Sequence, residues 1–345
     1  MTAVQAAIAE LFSGRGLSKE RLEAAFGEIM DGKATPATVG GLLVGLRMKG
    51  ETVDEIVAAA RALRSRATTA RVREPRTIDT CGTGGSGLDT FNISTTAAFV
   101  VAGAGVSVAK HGNRAATSKS GSFDVLEALG IRIDLPIETC ATILDEIGIA
   151  PFFARTAHPA FKHVAPIRAE LGVRTLLNCL GPLLSPVAAR YQVVGVYSAA
   201  LVEPLAHALI ELGAERALVV HGDDGMDELT TTTSSRAALA SDGRVETTTI
   251  DPGHLGLDQA RPEDLAGGTP EENAATTRSI LAGEKGPRRD IVLLNAAAAL
   301  FVVESAPTLE AGLVAAAKSI DEGAATAKLE ALAKATAHAT EARPA

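Results

Sequence analysis

Tryptophan is absent from these 345 residues and tyrosine occurs only twice, so an apolar content of 46% has to be carried mainly by Ala, Val, Leu and Ile. A chain of this length can bury a sizeable core and divide into two domains. Cations are in deficit: 33 Lys and Arg against 41 Asp and Glu leave a net charge of −8. That balance argues against a general nucleic-acid binder, which carries a basic surface. Cysteine is scarce as well. Cys81, Cys140 and Cys179 form no CxxC pair, which argues against a zinc site and for a reducing, cytoplasmic setting. No run approaches the roughly 18 apolar residues of a membrane span. The opening MTAVQAAIAELFSGRG lacks a cationic start followed by an apolar stretch, so neither a membrane protein nor a secreted one is expected.

The most informative absence is local. After Asp89 no carboxylate occurs until Asp124. That window holds Lys110, His111, Arg114 and Lys119 together with Thr90, Asn92, Ser94, Thr95, Thr117, Ser118, Ser120 and Ser122. Cations and hydroxyls without competing acids suit a polyanion, and a phosphate ester is the expected ligand. Just upstream, Gly82-Thr83-Gly84-Gly85-Ser86-Gly87 matches the GxGxxG spacing of dinucleotide sites. It lacks the acid that such a site needs about 20 residues on for the ribose. No Gly-Lys-Ser/Thr follows, which excludes a P-loop. What remains is shared physics: glycines let backbone N–H groups approach an anion, and a helix N-terminus adds its positive dipole end. Asn92 and Ser94 fit the entry to a helix through TTAAFVVAGAG, with Ser94 the expected N-cap. A glycine turn that merely caps a helix would explain the glycines, but not the cationic VAKHGNRAATSKSGS that follows. There Ser120-Gly121-Ser122 opens another helix, stopped at Gly130, and offers a second anion-receptive N-terminus.

A third signal follows the strand-like run Arg216 to Val220. In HGDDGMDEL, Asp223, Asp224, Asp227 and Glu228 fall within six positions. Crowded acids raise one another's pKa unless a cation intervenes, and oxygen ligands on a loop suit Mg²⁺, which takes one or two carboxylates plus substrate phosphates. An acidic turn is the plain alternative; a phosphate cradle elsewhere in the chain favours the metal.

The first 70 residues carry helical signals throughout: Thr35 and Pro36 as N-cap and N1, Thr52 with Glu55 as a capping box. From Thr77 onward β-like runs (76–80, 106–110, 151–154, 192–197, 217–221 and 290–294) alternate with helical stretches. The alternation predicts an α/β fold with a mainly parallel sheet flanked by helices, its ligands at the carboxyl ends of the strands. Beyond about Ala324 an Ala-rich helix precedes a polar tail, and no internal repeat is visible.

GTGGSG, NIST, KHGNRA, SKSGS, HPAFKHVAPIRAELGVRT, LGPL, HGDDGMDEL and GGTPEENA together resemble, in order and spacing, the anthranilate phosphoribosyltransferases. These are the tryptophan-pathway members of the glycosyltransferases that share the nucleoside-phosphorylase type of fold. The resemblance runs from about Ser18 to about Glu304. It implies a small all-helical domain over 1–72, completed by about 163–188 with a helix around His163 to Leu180, and a larger α/β domain over 73–162 and 189–345. It places phosphoribosyl pyrophosphate on Gly82, Gly85, Ser86, Thr90, Asn92, Ile93, Ser94, Thr95, the loop Lys110, His111, Gly112, Asn113, Arg114, Ala115, Ala116, Thr117 and Ser118, and on Ser122. Mg²⁺ is implied at Ser94, Asp227 and Glu228. Anthranilate is implied near Gly82, His111, Asn113, His158, Arg168, Gly181 and Pro182, and a homodimer through the helical domain.

Some positions depart from the family pattern. Ser86 stands where the family usually has Asp. The segment Ala154 to Phe161 gains Arg155 and loses a histidine, and Leu183-Leu184-Ser185-Pro186 replaces the usual LTNP. His111 could equally be a structural loop histidine. Two other readings share part of the evidence: a pyrimidine-nucleoside phosphorylase, disfavoured by the KHGNR loop and the Asp227-Glu228 pair, and a non-catalytic nucleic-acid-binding paralogue, which would lack the acids.

Overall fold

The computed structural model describes residues 1–14, 16–115 and 119–339. Four helices come first: α1 (Ala3–Leu11), α2 (Lys19–Met30), α3 (Pro36–Lys49) and α4 (Val53–Arg64). Their starts are written locally. Thr35 accepts from Thr38 N–H with Pro36 at N1, and Thr52 and Glu55 form the reciprocal capping box, which satisfies otherwise orphaned amides.

The rest is α/β. Its strands and helices run β1 (Ile78–Gly82), α5 (Ile93–Gly103), β2 (Val108–Gly112), α6 (Ser122–Ala128), α7 (Ile137–Ile147), β3 (Ile149–Phe153), α8 (Ala154–Ala157), α9 (Ala165–Leu171), β4 (Tyr191–Gly195), α10 (Val202–Glu211), β5 (Arg216–Gly222), β6 (Ser235–Ser241), β7 (Arg244–Ile250), α11 (Pro270–Leu281), α12 (Pro287–Val302), α13 (Leu309–Asp321) and α14 (Ala324–His338). One seven-stranded sheet has the order β3-β2-β1-β4-β5-β6-β7. The first five are parallel neighbours, and β6 and β7 close the edge as an antiparallel pair. Along a strand the side chains alternate between two apolar clusters. Val193, Leu218 and Val220 join one with α5, α12 and α14. Val194, Ala217 and Val219 join the other, which continues through α10 into the helices of the first 64 residues and through Ile167, Leu176, Leu180 and Leu183.

Four expectations need correction. Residues 290–294 are helical, within α12. That helix is packed on every side, with Ile291, Val292 and Leu294 buried, and a helix buried all round lacks the periodicity that separates it from a buried strand. Conversely β6 and β7 were not among the expected strands. Their turn, Asp242-Gly243, has φ of 52° and 73°, the left-handed pair that tight two-residue hairpins require. The helix at α5 starts one turn's fraction earlier than expected: Asn92 is the N-cap, without a side-chain cap bond, and Ser94 lies in the first turn. Finally, the stretch from His163 to Leu180 is the two-turn α9, ended by left-handed Gly172, followed by a 3-10 turn at Leu176–Asn178. Pro182 sits in a second 3-10 turn, Gly181–Leu183.

Candidate active site

Strands β1, β2, β4 and β5 all end in glycine at the same edge of the sheet. Each glycine admits a loop onto the strand end where a side chain would block it. A Cβ at Gly82 would lie 2.8 Å from Asp227 Oδ2, at Gly195 1.7 Å from Asp227 O, at Gly112 2.5 Å from Ser122 Oγ, and at Gly222 2.5 Å from Asp224 Oδ1. Gly82 and Gly195 are register partners on the central strands, where the strand order reverses direction. That is the place where open α/β sheets bind ligands.

The glycine turn after β1 is held by its neighbours. Thr83 N–H donates to Gly195 O at 2.8 Å, Gly84 N–H donates to Asp227 Oδ2 at 2.8 Å, and Tyr197 N–H donates to Thr83 Oγ1 at 3.0 Å. Beneath the turn lies a buried chain of charges. The Lys110 ammonium, on β2, donates to Thr80 O and to Ser94 Oγ at 3.4 Å. Asp79 is fully buried; one oxygen accepts from His111 N–H at 3.1 Å and the other has no partner among the described residues. Burial raises the Asp79 carboxyl to about 6 against the pull of Lys110. Glu228 accepts from Ser94 N–H at 3.2 Å, and burial, followed by the like charge of Asp227, raises it to about 7.

Of the four crowded acids, the structure sends Asp227 to the glycine turn and Glu228 to the first turn of α5. Asp224 is taken by Met226 N–H, Thr230 and Thr232, and Asp223 by Ser234 and Arg236. Ser94, Asp227 and Glu228 are oxygen donors at one place, and a carboxylate raised by its neighbour is one that a cation would relieve. Among the described residues no three His, Cys, Asp or Glu side chains cluster as a metal cage. An ion there would complete its shell from substrate phosphates and water, which suits Mg²⁺.

The second loop differs from a row of free cations. Arg114 pairs with Glu127 at 2.7 Å and Asp124 at 3.5 Å, and Lys119 pairs with Asp89 at 3.1 Å. Asp124 accepts from Ala115 and Gly121 N–H, which shapes the loop ahead of α6, and Ser122 Oγ donates to Asn113 O. Ala116, Thr117 and Ser118 lie outside the described residues. Asn92 joins this loop to the first: it donates to Ser120 O and accepts from Ser120 Oγ and Asn273 Nδ2. Asn273 comes from GGTPEENA, so that motif buttresses the site from behind. Gly267 N–H also bonds Asp89 O, and Thr90 forms a β-bridge with Ala266. Ile93 and Thr95 are buried, and Ile93 N–H donates to Phe91 O at 2.9 Å, which leaves the Thr95 amide as the available group of this pair.

His111 and His158 meet edge to face with ring centroids 5.3 Å apart, and Phe161 lies 6.2 Å from His158. His111 Nε2 and both ring nitrogens of His158 have no partner among the described residues. Burial pushes His111 down to about 3 and His158 to about 4, so both imidazoles are neutral at physiological pH. Arg168 is half-buried on α9, burial lowering its pKa; it bonds neither imidazole, while Arg155 is exposed. The Gly181-Pro182 turn is pinned by Gln192, a buried β4 residue whose amide donates to Pro182 O at 2.8 Å.

Gln192, Asp79, Gly195, Arg174 and Tyr197 were not anticipated. Gly195 had a usable signal, a glycine inside the predicted strand 192–197; the others act through partners distant in sequence.

Two family models cover most of the chain: "Glycosyl transferase family, helical bundle domain" over residues 5–67 and "Glycosyl transferase family, a/b domain" over 74–326. An anthranilate phosphoribosyltransferase of Symbiobacterium thermophilum is 52% identical over 327 residues, 95% of this chain and 96% of its own. The chain belongs to the anthranilate phosphoribosyltransferase family. Among solved structures, the anthranilate phosphoribosyltransferase of Thermus thermophilus superposes with a TM-score of 0.92 at 43% identity, over 98% of this chain and all of that one. The anthranilate phosphoribosyltransferase of Saccharomyces cerevisiae, in complex with phosphoribosyl pyrophosphate and Mg, has a TM-score of 0.89 at 28% identity, over 97% and 98%.

Proposed function

We propose that this chain transfers the phosphoribosyl group of phosphoribosyl pyrophosphate to the amine of anthranilate, giving N-(5-phosphoribosyl)anthranilate and pyrophosphate in tryptophan biosynthesis, with Mg²⁺ as cofactor. The observation that carries this reading is one convergence. The glycine turn, Lys110 and the Asp227-Glu228 pair meet at a single sheet edge, in a chain that is about half identical to anthranilate phosphoribosyltransferases along nearly its whole length.

The donor would lie on Gly82 to Ser86, Thr90, the Asn92 to Thr95 turn, Lys110 to Ala115 and Ser122, with the metal held by Ser94, Asp227 and Glu228. Bound Mg²⁺ supplies positive charge to the departing pyrophosphate. Lys110 and the turn amides share that task, because the C1′–O bond breaks as an oxocarbenium-like centre builds and charge gathers on the leaving group. The amine lone pair forms the new N–C1′ bond, and its extra proton leaves afterwards. No strong base is required. Arg168 would pair with the anthranilate carboxylate and Asn113 with its amine or carboxylate, which orients the nucleophile. The neutral edges of His111 and His158, with Gly82, Gly181 and Pro182, would enclose the ring.

Loss of anthranilate fluorescence in the presence of phosphoribosyl pyrophosphate and Mg²⁺ tests the reading directly. Turnover should vanish on chelation and return on adding Mg²⁺. Asp227→Asn combined with Glu228→Gln should lower turnover at least about 10²-fold. A wild-type rate at limiting Mg²⁺ in that variant would refute the metal assignment.

We further propose a homodimer through the helical domain, a cytoplasmic location, and a domain division that groups residues 163–188 with the first 72. Exposed Phe12 and Met48 at the bundle surface support the dimer, and the shared apolar cluster supports the domain division. No described helix is long and apolar enough to cross a membrane. Light scattering checks the dimer, and Phe12→Glu with Met48→Glu should shift it toward monomer.

A further inference from the structure

The glycine turn cannot set its own shape. Gly84, Gly85 and Gly87 have φ of 67°, 80° and 80°, and glycine visits such angles and their mirror images at little cost. Its conformation therefore depends on what grips it. On one side the grip is Asp227, through Gly84 N–H. On the other it is Arg174, whose guanidinium donates to Gly85 O.

Arg174 is built for that reach. It follows the left-handed cap Gly172 of α9, and its guanidinium lies over the Tyr197 ring, 4.3 Å from the centroid. Tyr197 is itself tied to the turn through its N–H and Thr83 Oγ1. Ring, guanidinium and turn thus form one closed circuit. A planar guanidinium on an aromatic face keeps its edge donors free for a carbonyl.

The consequence falls on the next peptide. The structure has no cis peptide bond among the described residues, and in a planar trans peptide the C=O and N–H point in opposite directions. With Gly85 C=O turned to Arg174, Ser86 N–H is turned away from it, and that N–H bonds none of the described residues. Arg174 also retains its charge for the turn. Arg114 and Lys119 are engaged by carboxylates, whereas no carboxylate of the described residues pairs with Arg174.

We infer that Arg174 is a positioning residue for the phosphorylated donor: by holding the Gly85–Ser86 peptide plane, it presents Ser86 N–H to the donor's phosphate oxygens. This rests on the function proposed above and adds to it a donor-side residue carried on the segment that bears Arg168, Gly181 and Pro182.

Steady-state kinetics on Arg174→Ala, with inorganic pyrophosphate plus Mg²⁺ as a product inhibitor, tests the inference. Loss of one charge-assisted bond and its positioning should raise the donor KM and the pyrophosphate Ki together, by about 10-fold. The anthranilate KM should stay within about 2-fold, since the acceptor groups are untouched. Arg174→Lys, which keeps a cation but not the planar guanidinium stacked on Tyr197, should recover only part of the loss. Should Arg174→Ala fold poorly, Arg174→Met keeps an unbranched apolar side chain without the guanidinium and carries the same expectation. An unchanged donor KM and pyrophosphate Ki, or equal rises in both substrates' KM, overturns the inference. A wild-type protein that does not consume anthranilate overturns the function instead, so the two failures are distinguishable.

Discussion

Lys110 is where most of the site's charge converges. Its ammonium is buried between Thr80 O and Ser94 Oγ, with Asp79 and Glu228 close enough to feel it. Lys110→Ala should weaken phosphoribosyl pyrophosphate by roughly 1.5–3 kcal/mol, the worth of a charged hydrogen bond, while anthranilate binding measured alone barely moves. Isothermal titration decides it, and equal losses for both ligands would mean the site has come apart. On the acceptor side two arginines separate by exposure. Arg168→Ala should raise the anthranilate KM about 10- to 100-fold, the loss of a charge-assisted pair, with the donor KM within a few-fold. Arg155→Ala should cost far less, because a lone exposed cation contributes about 0–1 kcal/mol. If Arg155 dominates and Arg168 is silent, the acceptor is a different aromatic or anionic amine.

At the scale of elements, strand-end glycines set where the loops can lie. Gly195 shows it most sharply: a Cβ there would sit 1.7 Å from Asp227 O, and close-packed backbone cannot absorb that overlap. Gly195→Ala should therefore leave far-UV circular dichroism unchanged but displace the Asp227-Glu228 loop, raising half-saturation by Mg²⁺ at least about 10-fold. A wild-type Mg²⁺ response would show that the loop has another support. The helix α11 has a similar supporting part. Its Asn273 reaches Asn92, which in turn bonds Ser120, so a motif far from both loops ties them together.

For the molecule as a whole, Arg64 joins the helical bundle to the rest. From the end of α4 it donates to Leu183 O at 2.6 Å and to Leu212 O at 2.9 Å. Burial lowers its pKa to about 10, which still leaves it charged at neutral pH. Arg64→Met strands two carbonyls and should cost about 2–4 kcal/mol, lowering the Tm by several degrees in calorimetry. Because Leu183 shares a turn with Gly181 and Pro182, the anthranilate KM should rise more than the donor KM. An unchanged Tm would mean the apolar cluster alone holds the two parts together.

Local chemistry made much of this legible in the sequence. Helix caps, the Gly82 turn, the acid-free window and the crowd of four acids from Asp223 to Glu228 follow from residue type and short spacing, because capping, φ freedom and charge crowding act over a few positions. The parallel sheet followed from alternation, with residues 290–294 mistaken because burial on all sides erases periodicity. What only the tertiary structure decided lies in long-range pairing. It separated Asp227 and Glu228 from Asp223 and Asp224, neutralised Arg114 and Lys119 with α6 and Asp89, and set His111 against His158. It also brought Arg174 to Gly85 across 89 residues and Asp227 to Gly84 across 143. Residue type and spacing determine which groups a chain can offer an anion. Which of them stay free to offer it depends on the partners that folding places beside each charge, since burial and pairing change the availability and cost of every ionised group.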